Sequence, residues 1–555
     1  MPFAPEHEEE WQRPQCPQAA TPNRQEGARL HDDPSWDTVK RILELDPRSI
    51  ALFRASLGCV LLANLWVRTQ DFRFFYTDAG LFAVTGRREL WSFHTLSGSP
   101  IFQGAIFAIM ALLSVMMMTG NRARTASFAL YLSYVSLYNK LPIVANGGDK
   151  LLCLALVMAT LLPAARLSWT PRRPCLKFHP GYDRPGEPWS GLMVVTQLAF
   201  IYFSSALLKG GSWHTGSAIH NTMTSEKYAF AWSIWVTDFP SLTRISTRVV
   251  LLAEMFVGGI LFLPPVKQLN RWIPIAVFGS FHAGLAASMC LGHFPYTALC
   301  IWASVLPSTF WNTLTRAAHR EGCPSATIVP ASVSPIRRVF ILLFCITVIG
   351  GSSSRLVGID LPHSLRRALA QTRLQQHWAL FKNPGPAVAW TVPVREVSGE
   401  TPMNLFDHSP MPNFEKPALT SEYGQNHRWH KFLQRLRKSR FRRYRQPFLR
   451  ELCRQEQANE HAPAAFDITL YRVSYDKHHE PASAAKRQKI LARLRCLRPS
   501  TSTSTSTSTS TSNPTSSPTS TSTSNSTSTP TSRDDGPANA DEIGRRPPAP
   551  GLAWP

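Results

Sequence analysis

The sequence predicts an all-α multi-pass membrane helical bundle of about 8–9 spans, with a small α+β soluble C-terminal domain and a disordered Ser/Thr-rich tail. Three observations predict it. Apolar runs of about 15–19 residues with almost no charge recur between Ser49 and Gly351, and a run near 20 residues crosses the roughly 30 Å hydrocarbon layer as a helix. Short loops beside those runs are rich in Lys and Arg, which orient membrane helices. After Gly351 the chain turns to mixed polarity, turn residues and short alternating stretches.

Whole-chain averages conceal this division. The 555 residues are 44% hydrophobic and carry a formal charge of +23, with a slightly negative mean hydropathy. Such a charge suits phosphate neutralisation by Lys and Arg. Much of it lies next to apolar runs instead, so nucleic acid is not the expected partner; a lipid bilayer is. The ten cysteines are Cys16, Cys59, Cys153, Cys175, Cys290, Cys300, Cys323, Cys345, Cys453 and Cys496. No C-x-x-C pair occurs among them and several sit in apolar runs as small hydrophobes. Neither a zinc site nor a disulfide framework is expected.

Residues 1–46 form a polar segment without an apolar signal-peptide core, so insertion is expected to begin with the first span. Residues 47–352 form the membrane domain. Its candidate spans are Ser49–Val67, Ile101–Thr119, Thr125–Leu137, Leu151–Leu167, Gly191–Leu208, Val249–Val266, Trp272–Cys290, Thr297–Trp311 and Val339–Gly351. The third and ninth are short and need tilt or neighbour packing to cross. Alternate loops hold Arg122/Arg124, Arg166/Arg172/Arg173/Lys177, Lys267/Arg271 and Arg316/Arg320/Arg337/Arg338. Arg68, Arg73, Arg87 and Arg88 stand on the other side. That balance predicts a cytoplasmic N-terminus and, with nine spans, an extracytoplasmic C-terminal domain in the cell membrane.

Residues 353–498 form the soluble basic domain. Ala387–Val394 and Phe466–Tyr471 alternate as strands do. Between them, Arg428–Arg454 holds eleven Lys/Arg against the single acid Glu451, with aromatic and Leu residues interleaved. A solvated amphipathic helix and a helix on anionic lipid headgroups both fit; nucleic acid fits less well on a membrane-tethered domain. Residues 499–555 are low in complexity. The Ser/Thr tract Ser500–Ser532 cannot bury a core and is expected to stay disordered.

Lys209 is the foremost chemical candidate, because it ends an apolar run and precedes Gly210-Gly211. One reading is a lysine whose ammonium snorkels to the interface. The other is a desolvated lysine acting as a base, since burial disfavours the charged ammonium. The glycines would let a ligand or another backbone approach closely. Glu254 and His282 lie inside later runs, where ionisable groups face a partner or a wet cavity. They serve either as interhelical tethers or, with Lys209, as parts of one polar pocket. Asp78 in F-Y-T-D-A-G (75–80), and Asn146 and Asp149 in N-G-G-D (146–149), suit turns and helix caps at the membrane surface as well as a binding role.

Several of these residues fall in an ordered series. It runs A-L-F-R-A-S-L-G (51–58), F-Y-T-D-A-G (75–80), S-F-H-T-L-S-G-S-P (92–100), A-N-G-G-D (145–149), Tyr202 to Lys209, Ala253-Glu254 and Phe281-His282. The series resembles the HTTM (horizontally transferred transmembrane) family, related to the membrane domain of vitamin K-dependent gamma-carboxylases, over about residues 42–350. The stretches W-A-L-F-K-N-P (378–384) and N-H-R-W-H-K-F (426–432) resemble the soluble tail of bacterial members. The resemblance implies that Lys209 stands where the carboxylases place the base that deprotonates vitamin K hydroquinone.

Two departures bear on activity. The carboxylases use a histidine on an earlier segment, and Thr125 to Lys150 contains none. Their extramembrane domain is also far larger, and shared architecture does not carry a shared reaction. A reduced quinone or similar lipophilic ligand in the bundle is therefore the expectation. Carboxylase-like or quinol-oxidising chemistry at Lys209 is one reading. The alternative is a non-catalytic maturation, immunity or envelope-interaction factor with a structural Lys209, and a proton-relay transporter using Glu254 and His282 is a third.

Overall fold

The computed structural model describes residues 34–81, 90–163, 188–225, 228–318, 334–356, 358–376, 378–385, 388–410, 414, 426–459, 463–475 and 487–497. The Ser/Thr tract, most of the polar N-terminal segment, Arg87/Arg88, the Arg166–Lys177 loop, Arg320, and cysteines 16, 175 and 323 lie outside the described residues.

The described chain is mostly helical, with a small antiparallel sheet near its C-terminal end. Helix α1 (Pro34–Leu43) leads into α2 (Pro47–Gln70). Asp46 caps α2 by accepting the Arg48 N–H at 2.8 Å, and Pro47 fills the first turn where no donor is needed. Then come α3 (Phe72–Tyr76), α4 (Pro100–Thr119), α5 (Ala123–Lys140), α6 (Gly147–Leu161), α7 (Pro188–Leu207), α8 (Ala218–Thr224) and α9 (Pro240–Phe256). Beyond them are α10 (Leu269–Ser288), α11 (Phe294–Ala303), α12 (Ser308–Ala318), α13 (Pro335–Leu356) and α14 (His363–Gln371). Among the described residues, four stretches are long and apolar enough to cross a membrane: Trp36–Gln70, Pro100–Thr119, Pro188–Leu207 and Pro240–Phe262.

Several expected boundaries move. The run Thr297–Trp311 is not one helix: it divides into α11 and α12 around Leu306-Pro307. Proline lacks the N–H a continuing helix needs and disfavours helical backbone in the residue before it. The run expected from Val249 starts at Pro240, and the one expected from Val339 extends over Pro335–Leu356.

Helix α6 sits at the centre, packed against α5 and α11, and its residues Leu151–Leu156 are all buried. Its C-terminal carbonyls have no partner within the helix. Arg54 of α2 supplies one: its guanidinium donates to Ala159 O, Leu162 O and Pro163 O at 2.7–3.1 Å while almost fully buried. Arg68, expected as a loop charge, is also buried in α2, and so is Arg271 in α10. Both serve internal contacts, which removes them from the loop-charge balance.

The C-terminal region adds β1 (Val388–Glu396), β2 (Met403–Asn404), α15 (His427–Leu436), α16 (Arg445–Gln457), β3 (Ala465–Tyr475) and β4 (Arg487–Leu497), in sheet order β2-β1-β3-β4 with antiparallel pairing. The two expected strands are present: the first is Val388–Glu396, with Ala387 outside the described residues, and the second extends well past Phe466–Tyr471 to Ala465–Tyr475. Strand β4 was not anticipated. Its alternation is masked by Lys and Arg, whose exposed side chains suit an edge strand; Arg493 reaches Asp467 at 2.8 Å and Glu396 at 3.2 Å.

The basic segment 428–454 is helical as expected, but its apolar face is already occupied. Phe432, Leu433, Leu436, Phe448 and Leu449 are buried in the core cluster that also holds Phe53 and Phe75 of the bundle. A lipid-surface helix needs that face free, so only its outer arginines remain for headgroups. Cys453 on α16 and Cys496 on β4 form a disulfide, a pairing the sequence spacing did not suggest.

Candidate functional site

Three of the sequence candidates converge. Lys209, Glu254 and His282 all line one cavity of about 430 Å³. Its other walls are mainly apolar: Leu198 and Ile201 of α7, Val250 of α9, Leu285 of α10, Ile301 of α11, and Trp378, Leu380 and Phe381 from the segment ahead of β1.

Helix α7 ends at Leu207, and Lys209 follows within the next turn. Its Nζ donates to the Glu254 carboxylate from α9 and lies 4.1 Å from the centre of the Trp213 ring. Lysine and glutamate are each only 6% exposed, so the cation and anion are compensated within the protein rather than by water. The ammonium thus turns to a neighbouring helix, an interhelical contact that the snorkelling reading does not require.

His282 is set by an aromatic stack. Phe278 lies face to face with Tyr202 at 3.8 Å and with Trp302 at 5.1 Å. The Trp302 indole N–H donates to the Tyr202 hydroxyl at 2.8 Å, and that hydroxyl pairs with His282 Nε2 at 2.7 Å; the assignment that also uses the phenol proton has Tyr202 donating to Nε2. An Nε2 that accepts leaves the ring proton on Nδ1. His282 Nδ1 is buried and has no hydrogen-bond partner among the described residues. A donor in that state costs free energy unless a ligand or water accepts from it.

The glycines after Lys209 admit another backbone. Gly210 N–H donates to Lys382 O at 3.1 Å, and the Trp213 indole donates to Phe381 O at 2.6 Å. Asn383 Oδ1 accepts from both the backbone N–H and the hydroxyl of Ser212 at 3.1 Å. Gly211 has φ +52°, and a Cβ there would stand 2.6 Å from Asn383 Oδ1. The W-A-L-F-K-N-P segment therefore closes the cavity beside Lys209. Sequence reasoning noticed both segments but not that they meet.

Asn146 and Asp149 lie elsewhere. They form a reciprocal capping box at the start of α6: Asn146 Oδ1 accepts Asp149 N–H at 3.0 Å, and Asp149 Oδ2 accepts Asn146 N–H at 2.7 Å. The second carboxylate oxygen is the centre of a buried cluster. Asp149 Oδ1 accepts from Tyr134 at 2.6 Å, Arg68 at 2.9 Å and Arg428 at 3.4 Å. His293, 3.6 Å away, is pushed down to about 4 by burial, against the attraction of Asp149. Arg68, Arg428, Tyr134 and His293 were not anticipated as a group, because their positions are far apart in sequence. Asp78 sits in a turn, its N–H donating to Gly98 O at 2.9 Å, and lines neither this cavity nor the larger one at the domain seam.

Compared with known proteins, the chain matches no family model, no curated protein and no solved structure.

Proposed function

We propose that this chain is a multi-pass membrane protein of the HTTM type that binds a quinone-like lipophilic ligand in the cavity beside Lys209. The observation that carries this reading is the convergence of Lys209, Glu254 and the unpartnered His282 Nδ1 on one largely apolar cavity. An apolar pocket with a few convergent polar groups is the usual form of a small-molecule site. A reduced quinone fits its chemistry: the ring and chain suit the apolar walls, and a ring oxygen can accept from His282 Nδ1. Such a ligand supplies weakly acidic hydroxyls and two exchangeable electrons.

The residues present can hold and move one proton. Glu254 can take the proton from Lys209 Nζ, leaving a neutral amine beside a neutral acid. The amine then accepts a proton at Nζ, which restores the cation against an unchanged neutral partner. Trp213 and the 378–384 segment keep water from the amine. This gives Lys209 the role of base.

The same ion pair favours a second reading, in which Lys209 is a structural tether between α7 and α9 of a non-catalytic membrane factor. Binding of reduced vitamin K to the purified chain, combined with turnover by Lys209→Ala, separates the two. Binding without Lys209-dependent turnover supports the factor; no saturable binding removes the ligand reading.

We further propose that α5, α6, α10, α11 and α13 join the four long apolar stretches to give eight or nine spans in the cell membrane. The N-terminus is then cytoplasmic and the C-terminal domain extracytoplasmic. The Cys453–Cys496 disulfide supports that side, since disulfides persist in oxidising compartments. The outer arginines of 428–454 then face anionic headgroups or solvent.

A further inference from the structure

A second cavity, of about 590 Å³, lies at the seam between the bundle and α15. It shares Thr222, Phe294, Leu380 and Phe381 with the apolar cavity, but its chemistry differs. Lys382, His427, His430 and Lys431 line it, and among the described residues no Asp or Glu does.

The Asp149 cluster lies beside this seam: Asn146, Gly147 and Gly148 line the cavity, and Asp149 follows them. Two guanidiniums, Arg68 and Arg428, share its carboxylate, and a second buried carboxylate, Asp71, accepts hydrogen bonds from Asn426 and Trp429 on either side of Arg428. Arg428 is 1% exposed, and its Nε and Nη1 have no hydrogen-bond partner among the described residues. His427 Nε2, next along α15, is equally unpartnered. Arg428 does not itself line the cavity; the cations that do are Lys382 and Lys431, and among the described residues no carboxylate lining it offsets them. An oxyanion in the cavity would accept hydrogen bonds from these lysines and from His427 and would carry the opposite charge.

We propose that this seam is an oxyanion site, taking a phosphate group against His427 and Lys431 on α15 and Lys382 from the segment ahead of β1. The phosphate is either free or the headgroup of a lipid, which the walls shared with the apolar cavity would accommodate. The site does not depend on what fills the apolar cavity.

The test is equilibrium dialysis of the purified full chain in detergent against radiolabelled inorganic phosphate, with a parallel arm using dihexanoyl phosphatidate. One saturable site is expected in at least one arm. Equal affinity in both identifies the phosphate group alone; binding confined to the phosphatidate identifies a lipid. Joint His427→Gln and Lys431→Gln should weaken binding about tenfold or more, because a hydrogen bond to a charged group contributes about 1.5–3 kcal/mol. Lys382→Gln, at an exposed position, gives the same direction of change should the double variant not fold. Absence of saturation in both arms overturns the proposal, and so does binding that neither variant weakens. Quinol binding measured on the same preparation keeps this outcome separate from that of the apolar cavity.

Discussion

Arg428, in the first turn of α15, reaches the Asp149 carboxylate at 3.4 Å across 279 residues of chain, and the same oxygen is already held by Arg68 at 2.9 Å. One carboxylate thus joins the first long helix, the central helix and the C-terminal domain. Removing it should be far worse than removing either partner. Asp149→Asn leaves two buried guanidiniums facing each other and should cost about 3–5 kcal/mol. Arg428→Met leaves a one-to-one pair and should cost clearly less. Melting temperatures of the two variants in one detergent check the order; the reverse order would contradict it.

The same cluster sets a pH dependence. Folding lowers the His293 pKa from 6.5 to about 4, with burial the main cause. Between those values the unfolded chain binds more protons than the folded one, so stability rises with pH through this window. It is lost as pH falls from about 6.5 towards 4. Tm measured from pH 8 to 4.5 should fall on the acid side, and His293→Asn should flatten the fall. Unchanged slopes in that variant would remove His293 from the account.

Gly211→Ala tests the closure beside Lys209. The position needs φ +52° and lies too near Asn383 for a Cβ. The substitution should cost about 1–3 kcal/mol and expose the 378–385 segment to protease. A variant cleaved no faster than wild type would show that the segment does not depend on this contact.

Arg54→Lys is expected to be non-conservative. The guanidinium reaches three carbonyls at the end of α6 from one fork, and an ammonium cannot span them. The loss should be about 2 kcal/mol or more, read as a lower Tm. Retention of wild-type Tm by the lysine variant would mean that these bonds contribute little.

The apolar helices were legible because long runs with almost no charge are a local signal. Their ends were less so: Pro307 breaks one run that hydropathy alone carries straight through. Gly210-Gly211 announced a close approach, but not the Phe381–Asn383 backbone that makes it. Asn146 and Asp149 were legible as a cap. Their role in the cluster was not, because Arg68 looked like a loop charge and Arg428 like one of eleven surface cations. Strand β4 was hidden by the basic residues that its edge position tolerates. Local periodicity and capping reach the reader from sequence; partners hundreds of residues apart do not.

The central claim is that the Lys209 cavity binds a quinone-like ligand through His282. Its most direct test is equilibrium binding of reduced vitamin K to the purified full chain, comparing wild type with His282→Phe. Phenylalanine keeps the ring and removes the buried donor. One saturable site per chain, weakened about tenfold by loss of that hydrogen bond, is the expected result. No saturable binding, or equal binding by the phenylalanine variant, would contradict it.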